Sequence, residues 1–541
     1  METYDIVVLG SGASALAAAV TAHGHGASRV GLFEKADVVG GTSAMSGGMI
    51  WIPGNHHMAE AGTPDSRDAV LTYLESLSHG MILPELAEAY ADTGPEMVRW
   101  FEEHTPVVFE IVESFPDYHP EQPGGSTEGG RSLECPLFDF NELGDWRGRV
   151  STSRQMSPHV LMNETTLGRG ATTRVPREVM AEREAANLRG CGQALVGRLL
   201  KACLDRGIEP RTGHRAVGLI EDDGRVAGVR FETADGELEV AATNGVVLAT
   251  GGFEWNAEMI RDFIRGPLER PVSIQTNTGD GLKMAMRVGA SIGNMQEAWW
   301  VPTIDVPDAD GEPFAWMVNR ERVQPRTIMV NRAGRRFANE ASNYNAFGAA
   351  FHQLDPGSFD YMNLPAFMIM DHGYMTRNGL YRYRGEGAVP DWMTAADTLA
   401  ELADLIGVDG AGLEETVDRW NAHVADLDDP DFGRGRSVND THWGDGTRTA
   451  AATLGPLDTG PYYAVQVRPG ALGTKGGPRT NADAQVLDLD GAPIAGLYAA
   501  GNVMASAMGM TYGGAGGTLG PGMVFGFAAG RHAATTPREQ A

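Results

Sequence analysis

Apolar positions at the start of the chain run from Tyr4 to Leu9 and break at Gly10-Ser11-Gly12, after which an alanine-rich segment begins. An apolar run of this length reads as a buried parallel strand, and the segment after the glycine turn reads as a helix packed on it. A second apolar run, Arg29–Phe33, ends at the acidic Glu34. Farther along, shorter runs at 214–220, 225–232 and 237–242 predict antiparallel strands, and 245–248 predicts a buried strand that ends in the turn Ala249-Thr250-Gly251-Gly252. Near the C-terminus, Leu497–Ala500 followed by Gly501-Asn502 is another strand and turn, and Gly520-Pro521-Gly522 precedes a final helix through His532.

Between these segments the character changes. From Trp299 to about Thr447, Trp, Met and Tyr are scattered among polar turns, with one amphipathic helix at Leu413–Ala425. The expected architecture is α/β: a Rossmann-type dinucleotide-binding domain with an inserted α+β substrate (cap) domain. The expected division is 1–298 for the first part of the nucleotide domain, 299–447 for the insert and 448–541 for the returning part. The glycine-, proline- and glutamate-rich stretch at 116–146 is expected to reach the same cleft.

A length of 541 residues supports two or three structural units. The formal net charge of −28 argues against nucleic acid as a partner and against general attraction to anionic lipid. Three cysteines, Cys135, Cys191 and Cys203, have no paired spacing, which fits a reducing compartment and makes the cytoplasm the default. No export signal precedes the first strand, and no apolar run is long enough for a transmembrane segment; peripheral membrane contact stays open.

The strand–glycine–helix start is a dinucleotide signal. Gly10 permits the tight turn, Gly12 lets backbone approach a pyrophosphate, and Ala15 stands where a third glycine would let helix and strand pack closely. Glu34 can accept hydrogen bonds from adenosine ribose hydroxyls, which selects an unphosphorylated ribose. The run Gly40-Gly41-Thr42-Ser43 with Ser46-Gly47-Gly48 follows at once, and its amides and hydroxyls suit the pyrophosphate and ribityl chain of FAD. The expected FAD contacts are Gly10, Ser11, Gly12, Ser14, Ala15, Glu34, Lys35, Gly41, Thr42, Ser43, Ser46, Gly47 and Gly48. They continue with Val217, Ala249, Thr250, Gly251, Asp280, Gly501, Asn502, Gly517 and Leu519.

Four later segments carry a closer resemblance: Asp117–Glu121 with Pro123-Gly124-Gly125; Gly334–Glu340 leading to Tyr344; Leu472–Gly477; and Thr511–Thr518. With the N-terminal residues they make the chain similar, nearly end to end, to the fumarate reductase and succinate dehydrogenase flavoprotein superfamily, and within it to the 3-ketosteroid delta-1-dehydrogenases. The resemblance implies noncovalent FAD, a 3-ketosteroid substrate and a quinone-type or other electron acceptor. It implies that Tyr512 and the Gly516 amide bind the 3-keto oxygen, that Tyr344 takes a proton from carbon 2, and that Tyr118 supports Tyr344 while a hydride passes from carbon 1 to flavin N5. Gly513 departs from the family, which usually has proline there. Two donors on the keto oxygen would act as an oxyanion hole, and a hydrogen bond from Tyr118 would favour the Tyr344 phenolate.

Other readings of the same fold are an enoate or enone reductase, a 4,5-dehydrogenase, and an FAD-binding protein without catalysis. A dicarboxylate site is disfavoured because 472–477 has no histidine and 508–518 no arginine. Trp299, Trp300, Met317 and Phe347 are candidate walls for a flat apolar substrate. No metal site is expected: His56 and His57 should point apart, with no carboxylate at ligand spacing. Lys475 lacks the glycine spacing of a phosphate loop.

Overall fold

The computed structural model describes residues 1–169, 175–308 and 310–536. Its first sheet has eight strands, and its central path runs Gln485–Leu487, Pro493–Ala499, Gly236–Leu248, Glu2–Leu9, Val30–Phe33, Pro210–Arg211. Val7, Val8 and Leu9 pair in parallel with Gly31, Leu32 and Phe33 on one side and with Val246, Val247 and Leu248 on the other. Ile6–Leu9 of this central strand are all buried, which is why this part reads as an uninterrupted apolar run in the sequence.

The strands expected at 237–242 and 245–248 form one continuous strand, Gly236–Leu248. Residues 236–241 pair antiparallel with Arg225–Thr233 on one edge, and residues 240–248 pair in parallel with Glu2–Leu9 on the other, with a register shift between Tyr4 and Ile6.

The helix Ala13–Gly24 lies against the C-terminal helix Leu519–Thr535, which starts before the expected glycine–proline pair because Pro521 falls in the first turn, where its missing N–H costs nothing. The two helices touch backbone to backbone. A Cβ on Gly526 would stand 2.5 Å from the Ser14 carbonyl oxygen, and one on Gly530 would stand 2.3 Å from that of Ala18.

The second sheet has seven strands, ordered Pro313–Met317, Ala298–Pro307, Tyr462–Thr474, Ala366–Asp371, Thr327–Val330 along its main path. Its longest strand therefore lies beyond residue 447, and it also takes in Arg270–Pro271. The amphipathic helix spans Gly410–Val424, its N-terminus capped by the Asp409 carboxylate on the Gly412 amide. Leu413, Val417, Trp420 and Val424 bury its apolar stripe against this sheet. No helix among the described residues is long and apolar enough to cross a membrane.

Candidate active site

The carboxyl ends of the parallel strands open on a cleft of about 1800 Å³, mouth included, that runs from Glu34 to Tyr512. At the Glu34 end, the carboxylate accepts the Ser11 hydroxyl (2.6 Å) and the Ala36 amide (2.8 Å), so it is held at the strand tip. Burial pushes this carboxyl above its ordinary range, opposed by those two hydrogen bonds. Gly10 has φ +106°, and a Cβ there would meet the Ala249 carbonyl oxygen at 2.3 Å, so only glycine makes the turn. The Ser43 hydroxyl accepts the Ala13 amide of the first helix (3.0 Å), which ties the second glycine run to that helix start.

Most of the expected FAD contacts line this cleft: Gly10, Ser11, Gly12, Ser14, Glu34, Lys35, Gly41, Thr42, Ser43, Ser46, Gly47, Gly48, Ala249, Thr250, Gly251, Asp280, Gly501, Asn502 and Leu519. Three do not. Ala15 is packed inside, Val217 alternates away while its neighbour Ala216 faces the cleft, and Gly517 sits behind the Tyr512 ring. Lys35 and Asp280 pair with each other at 2.8 Å at the rim, and Arg215 joins them. The buried Thr250 hydroxyl has no protein partner. That hydroxyl, the Gly10–Gly12 cradle and the elongated cleft fit a dinucleotide.

At the other end three tyrosines converge. Ring centroids of Tyr118, Tyr344 and Tyr512 lie 5.1–5.5 Å apart. The Tyr118 hydroxyl donates to that of Tyr344 at 3.0 Å, and Thr518 donates to the Tyr512 hydroxyl at 3.0 Å. Gly516, with φ +97°, lines the same space, and its N–H makes no backbone hydrogen bond.

Each tyrosine is set by its neighbours in sequence. Asp117 accepts Trp51 Nε1 (2.8 Å), the Ser126 amide (2.9 Å) and Arg131 Nη1 (2.6 Å), and Arg131 is also clamped bidentately by Asp65. The Gly513 carbonyl accepts both the Tyr118 amide (2.9 Å) and the Tyr73 hydroxyl (2.7 Å), so the Tyr118 and Tyr512 loops are stitched together. Tyr344 opens the helix Tyr344–Ala349. Asn343 caps that helix and reaches His119 at 3.1 Å, while Asn345 reaches the Met510 carbonyl at 3.1 Å.

Lys475, read in the sequence only as unsuited to a phosphate loop, is a missed supporting residue. It is fully buried and donates to the carbonyls of Met510 (2.9 Å) and Thr511 (2.8 Å), the two residues before Tyr512. Its ammonium lies 4.1 Å over the Trp299 ring, which packs on Tyr512 at 4.8 Å. Burial pulls the ammonium down to about 7, opposed by Glu297.

Burial also raises all three phenols, Tyr118 and Tyr344 well above the ordinary tyrosine range. At Tyr344 burial is the largest cause, and it opposes the phenolate that donation from Tyr118 would favour. Among the described residues that line the cleft, the basic side chains are Lys35 and His214, so no lining cation is available for a buried dicarboxylate at the tyrosine end.

Of the expected walls, Met317 lines the cleft. Trp299 instead backs Tyr512, Trp300 packs on His352, and Phe347 is core with Phe351. Phe115, Met156, Met162, Leu167 and Trp443 take the lining positions. The expectation that His56 and His57 lack a carboxylate also fails. Their rings lie 4.1 Å apart and share Glu102, at 3.1 and 2.9 Å. Glu102 also accepts the Phe109 amide, so this group clips the short helix His56–Glu60 onto the helix Pro84–His104.

A family model described as FAD binding domain matches residues 5–519. The chain belongs to this family. Its cofactor is FAD. Among its relatives in the family, the 4-oxocyclohexanecarboxylate 2-dehydrogenase of Sinomonas cyclohexanicum is 43% identical, with 98% of this chain and 92% of that protein covered. The 3-oxosteroid 1-dehydrogenase of Mycobacterium tuberculosis is 37% identical over 99% of both chains. The crystal structure of 3-ketosteroid delta1-dehydrogenase from Sterolibacterium denitrificans in complex with 1,4-androstadiene-3,17-dione superposes with a TM-score of 0.90 at 34% identity, covering 99% of this chain and 100% of that one.

Proposed function

We propose that this protein is an FAD-dependent dehydrogenase that introduces a double bond beside a ring ketone, with a 3-ketosteroid desaturated at carbons 1 and 2 as its substrate. The observation that carries the reading is the convergence of the Tyr118, Tyr344 and Tyr512 rings, with Gly516 lining the same space, at a cleft end where no cation among the described residues lines the wall. Bound FAD supplies the acceptor for a hydride. Tyr512 and the Gly516 amide hold the ketone oxygen and stabilise the negative charge that grows on it as carbon 2 loses its proton, where one such donor contributes about 3–4 kcal/mol. Tyr344 receives that proton at its phenolic oxygen, with Tyr118 fixing the orientation of the acceptor. Phe115, Met317 and Trp443 hold a flat apolar ring system and exclude water.

A second reading replaces the steroid with a small ring ketone that bears a carboxylate, favoured by the 43% identity to an enzyme named for 4-oxocyclohexanecarboxylate. Among the described residues no arginine or lysine lines the tyrosine end, which weighs against a carboxylate there. Electrons leave to a quinone-type acceptor in a reducing compartment, in keeping with three unpaired, buried cysteines. Anaerobic titration with androst-4-ene-3,17-dione, and separately with 4-oxocyclohexanecarboxylate, separates the two readings. Loss of the oxidised flavin band with formation of the 1,4-diene-3-one supports the steroid. Bleaching by the carboxylate alone supports the second reading, and bleaching by neither rejects both.

A further inference from the structure

The C-terminal helix Leu519–Thr535 starts without a side-chain cap. Thr518 stands directly before it, where a threonine hydroxyl ordinarily accepts an N–H of the first turn, yet it accepts none. The local sequence explains this. The Gly520 N–H is already given to the Gly516 carbonyl (2.8 Å), and Pro521 has no N–H to give. With no capping task, the hydroxyl turns the other way and donates to the Tyr512 hydroxyl at 3.0 Å.

Tyr512 itself has little freedom. Its ring lies on Gly517, where a Cβ would stand 3.0 Å from two ring carbons, and Trp299 packs on it at 4.8 Å. Packing leaves only the direction of the hydroxyl hydrogen open. A phenolic oxygen that accepts from Thr518 has its own hydrogen pointed elsewhere, and Tyr512 and Thr518 line the same cleft as Tyr118 and Tyr344. Burial raises the Tyr512 phenol, and the Thr518 hydrogen bond opposes that rise. A phenol that accepts such a bond is the better donor in turn, because successive hydroxyls polarise one another.

We propose that Thr518 is a positioning residue for the ketone end of the cleft, which turns the Tyr512 hydrogen toward the substrate oxygen and strengthens its donation as negative charge grows there. This rests on the dehydrogenase function proposed above. The effect is largest in the transition state, because the ketone oxygen carries little charge until carbon 2 loses its proton.

The test compares wild type, Thr518→Val and Thr518→Ser with androst-4-ene-3,17-dione and with 4-oxocyclohexanecarboxylate. Valine keeps the shape of threonine and drops the hydroxyl, whereas serine keeps the hydroxyl. Anaerobic stopped flow gives the limiting rate of flavin reduction and the substrate Kd. For the ketone that wild type accepts, Thr518→Val should lower the limiting rate by about tenfold or more with Kd within about threefold, and Thr518→Ser should stay within about threefold of wild type in both. FAD content should match wild type. A second readout is the infrared carbonyl stretch of the desaturated product, isotopically labelled at its ketone carbon and bound to the oxidised enzyme. That stretch should rise in Thr518→Val, as the hydrogen bond to the ketone weakens, and match wild type in Thr518→Ser. An unchanged rate, an unchanged stretch, equal effects of the two substitutions or a loss of FAD in Thr518→Val would overturn the positioning role while leaving the dehydrogenase reading in place. If wild-type flavin is bleached by neither ketone, the function fails and the positioning role with it.

Discussion

Among single residues, Tyr344 carries the greatest demand. Its burial leaves it a neutral phenol at ordinary pH, yet the proposed step needs its oxygen to take a proton. Since its ionisation lies above the usual range, the reactive fraction grows with pH. The rate of flavin reduction at low substrate should therefore climb about tenfold per pH unit from about pH 6 to about pH 9, with no plateau in that window. Stopped-flow reduction across this range checks it, and a flat profile would mean that the phenolate is not the reactive form. Tyr118, Tyr344 and Tyr512 stand out only through the family resemblance of the short motifs around them; taken alone, each reads as an ordinary packed tyrosine. The His56–His57–Glu102 group was missed because the carboxylate arrives from a separate helix.

For segments and helices, the nucleotide half was readable because strand, glycine turn and acid follow one another within 34 residues. The supports of the tyrosine loops are long-range, and only folding brings them together. Lys475 is the sharpest case, because its bonds to the Met510 and Thr511 carbonyls fix the approach to Tyr512. Lys475→Met should keep FAD bound while slowing flavin reduction by about 10- to 100-fold, about 1.4–2.7 kcal/mol of barrier, as the segment before Tyr512 loses the two hydrogen bonds that anchor it. Unchanged reduction in the rapid-mixing assay would remove Lys475 from the account. The contact between the first and last helices makes a separate prediction. Gly530→Val drives a side chain into the Ala18 carbonyl and should cost about 1–3 kcal/mol, seen as a lower melting temperature and flavin lost on gel filtration. A variant with wild-type melting and full flavin would show that the helices can part without consequence.

Across the whole molecule, the site is divided between two units. Tyr118 and Tyr512 come with the nucleotide-binding part, and Tyr344 comes with the second sheet and its helices. The chain therefore has to leave and re-enter the first unit for the three hydroxyls to meet. The aromatic-rich middle, 299–447, reads as an insert between two segments of one nucleotide fold, yet the second sheet also takes strands from outside that range. The exact exchange was hidden: the strand Tyr462–Thr474 serves the second sheet and then turns at Lys475 toward the first unit. An overall charge of −28 and a tyrosine end lined by no cation among the described residues together favour a neutral ketone over an anion.

The most direct test is a single anaerobic turnover of wild type and Tyr344→Phe with androst-4-ene-3,17-dione, each carrying a full complement of FAD. The account predicts that wild-type flavin is bleached as the 1,4-diene-3-one forms, and that removing one hydroxyl slows bleaching by at least about 100-fold while steroid affinity stays within a few-fold. Bleaching at the wild-type rate in Tyr344→Phe would contradict it.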